Sequence, residues 1–395
     1  MVLNVTALGQ ELIQIASITP DGGHALDYIQ AYFADDHPFV HREVFHEPNT
    51  APVDNLFLRI GNSGPHFCFA GHVDVVPEGD MKQWHTDPFG GIIKDGYVIG
   101  RGASDMKGAI AAFMRAARRY IDAHGTQNGS ISFLLTCDEE GPALNGTRKM
   151  LGWMTAKAQI PDVCLVGEPT SQDRLGDTFK IGRRGSINFL LKVLGTSGHV
   201  AYPNLARNPI LPLVRAMDHL NSQILDEGTA DFDPSHLEFS SIHCPNTSTN
   251  VIPSEASAHF NIRFNVLHSL ASLEAWVRTQ LLHRLNPQEF ELTILSKASP
   301  FLVQNFDLIH MVKQSIASVT GQEATASTTG GTSDARFIHE VCPVVEFGLM
   351  NATIHKPNEA VAIQDLEMLE DIYYKILIDF FQPDGDPADR QEGTL

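Results

Sequence analysis

Positive charge is scarce in this sequence. It has 28 lysines and arginines against 47 aspartates and glutamates, a formal net charge of −19. A field of that sign disfavours nucleic acid and anionic membrane surfaces as partners, and it favours metal cations. An anionic substrate would have to be held by local arginines against the global field. Long apolar runs are also missing. No stretch reaches the ~18 consecutive apolar residues of a membrane span, so no membrane partner is expected. The opening Met1–Gln14 lacks a basic segment followed by an apolar core, and no secretory signal is expected there. The five cysteines, Cys68, Cys137, Cys164, Cys244 and Cys342, form no C-x-x-C pair. This argues against a thiolate metal site or a disulfide framework and for buried, reduced thiols. A reducing, cytoplasmic location follows as an expectation. Internal repeats and low-complexity tracts are absent as well.

The 395 residues exceed the roughly 100–200 of one domain and predict two. The first half alternates apolar strands with amphipathic helices. Leu8, Leu12 and Ile15 share one face of an opening helix. Residues 66–71, 131–137 and 163–166 read as buried strands. Residues 107–121 read as a helix with Ile110, Phe113, Met114 and Ala117 on one face. Such alternation predicts an α/β sheet flanked by helices. The text changes near Gly182. A strand at 187–193, a helix at about 209–225 and a strand at 259–264 suggest an inserted smaller α+β unit. The predicted division is 1–182 and 296–383 for the larger domain, 183–295 for the smaller, and a disordered polar tail at 384–395. Leu366, Leu369, Ile372, Tyr373, Ile376 and Phe380 mark a closing helix.

Potential metal ligands follow four apolar strands. They are His72 with Asp74; Asp105, reached from the Tyr97–Ile99 strand through Arg101 and Gly102; Glu139 with Glu140; and Glu168. In open α/β sheets, ligands bind beyond the carboxyl ends of strands. Singly these residues say little. A lone histidine after a strand is more often a satisfied surface residue. Asp105 alone would pass as a helix N-cap, and Glu139 with Glu140 as a solvated turn. Together, carboxylates and imidazoles gathered at one sheet edge repel or stay unpaired without cations. Zinc accepts that mixture of nitrogen and oxygen donors. Asp74, two residues after His72, suits a carboxylate that orients a ligating imidazole. The residues alone do not say which of the adjacent glutamates is ligand and which is base.

The set His72-x-Asp74, Asp105, Glu139-Glu140, Glu168 and His355 resembles the zinc aminoacylase and carboxypeptidase family of co-catalytic metallohydrolases. The resemblance implies a zinc-peptidase-like domain with a central mixed sheet and an inserted α+β dimerisation domain. It implies two Zn²⁺ per subunit, with Co²⁺ able to substitute at one site. Asp105 would bridge both ions. Glu140 and His355 would complete one site, and His72 and Glu168 the other. Glu139 would be the general base, and Asp74 would support His72. The motifs Gly100–Gly108, Gly182–Ser186, Ser197–Pro203, Thr249–Pro253, Gly330–Phe337 and Thr353–Glu359 are similar to the branch that hydrolyses the amide of N-succinyl-LL-2,6-diaminopimelate. That likeness suggests Tyr202, Asn250, Thr332 and Asn351 as substrate contacts, and Arg183, Arg184 and Arg263 are the candidates to hold the implied substrate's carboxylates against the acidic field of the chain. His199 is expected to reach the partner's site in a homodimer and stabilise an oxyanion there. The implied substrate is a small anionic molecule, so guanidinium forks suit it.

A deacetylase of acetylornithine or an aminopeptidase would share the metal chemistry and differ in the pocket. The Arg183-Arg184-Gly185-Ser186 and Thr353–Lys356 segments favour the succinyl branch over these. A binding protein that kept only the fold would have lost a ligand or the base, and all seven of those positions are intact.

Overall fold

A computed structural model describes residues 3–381, so the predicted 384–395 tail lies outside the described residues. The chain divides into two units. One comprises the chain up to Ile181, Val303–Ser327 and the chain from Ser333; the other is Gly182–Leu302 with Thr328–Thr332.

The first unit is built on an eight-stranded mixed sheet. Its order is Phe39–Phe45, Val53–Ile60, Ser130–Thr136, His66–His72, Val163–Val166, Val344–Glu346, Thr178–Lys180 and Thr325–Ser327. The four strands in the middle, from Ser130–Thr136 to Val344–Glu346, run parallel. Every residue of Ser130–Thr136 and of Val163–Val166 is buried. Strands buried on both faces read as continuous apolar runs, which is why these were visible in the sequence. Cys68 and Cys164 are register partners on adjacent strands, and all five cysteines are free.

The Lys107–His124 helix is dense in alanine, with Ala109, Ala111, Ala112, Ala116 and Ala117 at 0% exposure or close to it. Small side chains let it pack closely against the Val5–Gln14 and Ile363–Phe381 helices. Gly125, at φ +69°, ends it with its N–H on the Ile121 carbonyl at 2.8 Å. Phe113 stacks on Phe69 of the sheet with centroids 4.4 Å apart. In the opening helix the buried face is Leu8, Leu12 and Ile13; Ile15 caps the end and is half-buried.

The Tyr97–Ile99 strand departs from expectation. It belongs to a separate antiparallel sheet of Ile92–Lys94, Tyr97–Ile99 and Ala360–Ala362. Its local text explains this. Asp95 and Gly96, both at positive φ, form the two-residue turn that closes a hairpin. Ile92, Ile93 and Tyr97 are exposed, as no central strand could be. Among the described residues, no helix is long and apolar enough to cross a membrane.

The second unit has a four-stranded antiparallel sheet, ordered His236–His243, Glu255–Phe264, Gly185–Leu194 and Phe290–Ala298. Burial alternates along Gly185–Leu194. Ile187, Phe189, Leu191 and Val193 share a core with Ala256, Ala258, Phe260 and Ile262, and with Leu213 and Leu273 of the Ile210–Asn221 and Leu270–Leu282 helices. The sequence places this unit at 183–295. The structural unit also takes in Thr328–Thr332, where the carbonyl of Thr329 accepts from Arg183 Nη1 at 3.3 Å.

Candidate metal centre

Three adjacent parallel strands deliver three of the expected ligand groups. His72 is the last residue of its strand, Glu139 and Glu140 follow Ser130–Thr136 by three and four residues, and Glu168 follows Val163–Val166 by two. His355 lies in the loop beyond the fourth parallel strand, Val344–Glu346. Asp105 arrives differently, from the turn that enters the Lys107–His124 helix and not from a strand of this sheet. The Asp105–Met106 peptide is cis. The N-cap of that helix is Met106, so Asp105 is not spent on capping.

Two glycines let that turn approach the sheet. A Cβ on Gly71 would lie 2.4 Å from Met106 Cε, and one on Gly167 would lie 2.7 Å from the same atom. Gly71 precedes His72 and Gly167 precedes Glu168. Met106 therefore packs over the ends of both ligand strands, and its sulfur lies 3.4 Å from the His72 amide. Asp105 is thereby set beside them.

The carboxylate of Asp105 stands between two imidazoles. Its Oδ1 is 3.2 Å from His72 Nε2, and its Oδ2 is 3.4 Å from His355 Nε2. His355 Nε2 is also 2.8 Å from Glu140 Oε1, and His72 Nε2 is 3.8 Å from Glu168 Oε1. Two groups of donors lie within 4.8 Å of one another: His72, Asp105 and Glu140, and His72, Glu139 and Glu168. His72, Asp105 and Asp74 are buried, while the His355 side chain is half-exposed at 49%. His355 also adopts the left-handed region at φ +58°, a conformation that a side chain resists and that concentrates at functional sites.

Asp74 acts on two fronts. His72 Nδ1 lies 2.8 Å from the main-chain carbonyl of Asp74, closer than the 3.7 Å to its carboxylate. The carboxylate instead accepts from Thr19 Oγ1 at 2.7 Å and from the amides of Glu139 at 3.4 Å and Glu140 at 3.2 Å. One aspartate thus fixes the ring through its backbone and the paired glutamates through its side chain.

The electrostatics show a donor set short of positive charge. Burial pushes Glu139 well above the usual carboxylate range, and Glu168 adds to it. Burial likewise raises Asp74 to about 6. Burial opposes a proton on His72, but Asp105, Asp74 and Glu139 outweigh it and hold the ring well above its ordinary value. Hydrogen bonds donated to the carboxylates of Asp105 and Glu140 raise His355 to about 10. Burial works against the charge on Asp105 too, and the two imidazoles overcome it and lower its pKa. Without cations, protons neutralise this cluster. Two divalent ions would replace them, and nitrogen with carboxylate oxygen is a donor mixture that zinc accepts. The residues fit a two-metal site.

The other expected contacts fall into separate groups. In the second unit, His199 pairs with Val251, the Val200 amide donates to the Asn250 carbonyl at 3.1 Å, and the His199 and Tyr202 rings are 5.9 Å apart. All three of His199, Tyr202 and Asn250 are exposed. Arg183 is buried beside Thr329 and Gly330, and Thr332 is exposed close by in sequence. Arg263 has a buried Nη1 with no hydrogen-bond partner, and Arg184 has the same at Nε. Burial and the charge of Arg184 lower the pKa of Arg263. Asn351 lies in the first unit, where its amide donates to the Ser171 carbonyl at 2.9 Å. Sequence reasoning missed Met106, Arg101 and Glu359, although all three stand inside motifs it singled out.

The profile of Peptidase family M20/M25/M40 matches residues 68–379. A succinyl-diaminopimelate desuccinylase of Rhodospirillum centenum is 49% identical over 375 residues, covering 95% of this chain and 97% of its own. That of Parvibaculum lavamentivorans is 48% identical and covers 94% of each chain. Among solved structures, an M20 family metallo-carboxypeptidase from Sulfolobus solfataricus superposes with a TM-score of 0.77 at 16% identity, covering 96% and 99% of the two chains. The Bacillus subtilis YXEP protein, a dinuclear metal-binding peptidase, gives 0.66 at 14% identity, covering 95% and 96%. A strand-end cluster of this composition and a profile match across most of the chain lead to one assignment: the chain belongs to peptidase family M20/M25/M40.

Proposed function

We propose that this protein hydrolyses the amide of N-succinyl-LL-2,6-diaminopimelate to succinate and LL-2,6-diaminopimelate, a step toward lysine and peptidoglycan precursors. The observation that carries the reading is the carboxylate of Asp105, with one oxygen toward His72 and the other toward His355. The desuccinylase relatives, near half identical over almost the full chain, supply the substrate.

Held by Asp105 with Glu140 and His355, and by Asp105 with His72 and Glu168, two zinc ions would polarise the scissile carbonyl and acidify water. The chain's own residues do the rest. Glu139 takes a proton from the attacking water as its oxygen adds to the succinyl carbonyl carbon. It then gives that proton to the amine nitrogen as the C–N bond breaks. Asp74 keeps the amides of Glu139 and Glu140 on one carboxylate, so that the two side chains diverge from a fixed base. The substrate's carboxylates fall to Arg183 and Arg263, with Tyr202, Asn250, Thr332 and Asn351 as further contacts. The unpartnered Nη1 of Arg263 supports this, because a buried guanidinium proton needs an acceptor.

The working form in this proposal is a cytoplasmic homodimer assembled through the second unit, with Co²⁺ able to replace Zn²⁺ at one site. The free cysteines suit that compartment. His199, exposed on its short strand, serves the partner's site as an oxyanion donor. His199→Ala should lower kcat by about 10²–10³-fold; unchanged turnover removes the residue from the reaction.

The decisive assay is succinate release from the succinyl substrate, beside N-acetylornithine and dipeptides, after chelation and again after zinc is restored. Zinc-dependent release from the succinyl compound alone is expected. Turnover of a different amide would reject the substrate.

A further inference from the structure

A glutamate with no exposed surface is costly unless its charge is paired and hydrogen-bonded. Glu359 is such a residue, at 0% exposure. Its Oε1 accepts from the amides of Ser104 at 2.9 Å and Asp105 at 3.0 Å. Its Oε2 accepts from the amide of Gly102 at 3.1 Å and from Arg101 Nη1 at 2.8 Å. Its own carbonyl accepts from the Gly100 amide at 2.9 Å. All of these partners lie in Gly100–Asp105, the segment that presents Asp105.

Glu359 also stands four residues after His355. Arg101, 2% exposed, closes the circuit by donating to the carbonyls of Lys356 and Pro77, each at 3.3 Å, with its guanidinium 5.3 Å from the Trp84 ring centre. Further ties bind the same two segments or fix their surroundings. The Ser104 hydroxyl donates to the Met350 carbonyl. Asn358 donates to the Gln83 carbonyl at 2.8 Å and accepts from the His85 amide at 2.7 Å.

We propose that Glu359 is a positioning residue for the metal pair: through its bonds to the Gly100–Asp105 amides and to Arg101, it locks the bridging carboxylate and the late histidine into one rigid body. The inference rests on the two-metal reading above. A purely structural ion pair would stabilise the fold with no bearing on where Asp105 points. Here the carboxylate grips the amide of Asp105 itself, so a small main-chain shift there moves both ligand oxygens at once.

Glu359→Gln keeps the shape and removes one acceptor. Whichever way the new amide turns, its NH₂ faces either Arg101 and Gly102 or Ser104 and Asp105, all of them donors. Two measurements on chelator-stripped protein test the role without using turnover. Amide hydrogen exchange over Gly100–Asp105 should quicken in the metal-free variant. Calorimetric zinc titration should show affinity weakened about 10–100-fold. Asp36→Asn is the control. It breaks the Arg118–Asp36 pair elsewhere in the first unit and should lower Tm with zinc affinity unchanged. If Glu359→Gln behaves like that control, the positioning role is overturned. If it does not fold, Arg101→Lys takes its place. That variant keeps a positive charge but loses the fork, and it should still weaken zinc binding several-fold; wild-type affinity would overturn the proposal. A wrong substrate leaves both measurements untouched, whereas a wild-type protein that binds fewer than two ions would reject the two-metal reading itself.

Discussion

Glu139→Gln should lower kcat by about 10²–10⁴-fold, the usual range for a lost general acid–base, while the protein still binds two zinc ions. The argument starts from the backbone. Glu139 and Glu140 both rest their amides on Asp74, yet their side chains part. Glu140 Oε1 goes to His355 at 2.8 Å. Glu139 has a donor atom within 4.8 Å of those of His72 and Glu168. It is therefore near enough to be a ligand by distance alone, and metal content separates the two roles. Glutamine retains an oxygen but cannot carry a proton from water to amine. A variant with two ions and little turnover identifies a base. A variant that retains only one ion identifies a ligand and sinks the assignment.

The second large effect belongs to Asp105. Asp105→Asn should reduce bound zinc to one ion or fewer after dialysis and bring turnover to background. Asparagine keeps the shape but offers one oxygen, and its NH₂ must face either His72 or His355 where a ligand oxygen stood. It also loses the negative charge that both ions would share in the proposed site. Elemental analysis of the dialysed protein reads the first consequence directly. Retention of two ions with turnover within tenfold of wild type would show that Asp105 is not the bridge.

The parts of this molecule that the sequence exposed share a physical cause. Residues 130–136 and 163–166 are buried on both faces, so their apolar runs are uninterrupted and the acidic residues that follow stand out. His72, Glu140 and Glu168 were legible because a strand end is a local event. Pairing between segments distant in sequence leaves no such trace. Nothing in the period of Tyr97–Ile99 distinguishes a central strand from a hairpin arm, although Asp95-Gly96 marked the turn. The return of Thr328–Thr332 to the second unit is likewise a tertiary fact. Glu359 was overlooked because a glutamate in a polar loop reads as solvated. Only the structure shows that five hydrogen bonds converge on it, four on its carboxylate and one on its carbonyl.

The left-handed backbone at His355 has a consequence for laboratory evolution. An L side chain in that region costs about 1–2 kcal/mol, which glycine escapes and asparagine partly escapes. Glycine there would relieve that backbone cost, but in the proposed site it would also remove a metal ligand, and with it the stability that bound ions lend the fold. A screen in which cells must make the product for themselves would hold the position, because it reads the histidine's chemistry as well as the fold's stability.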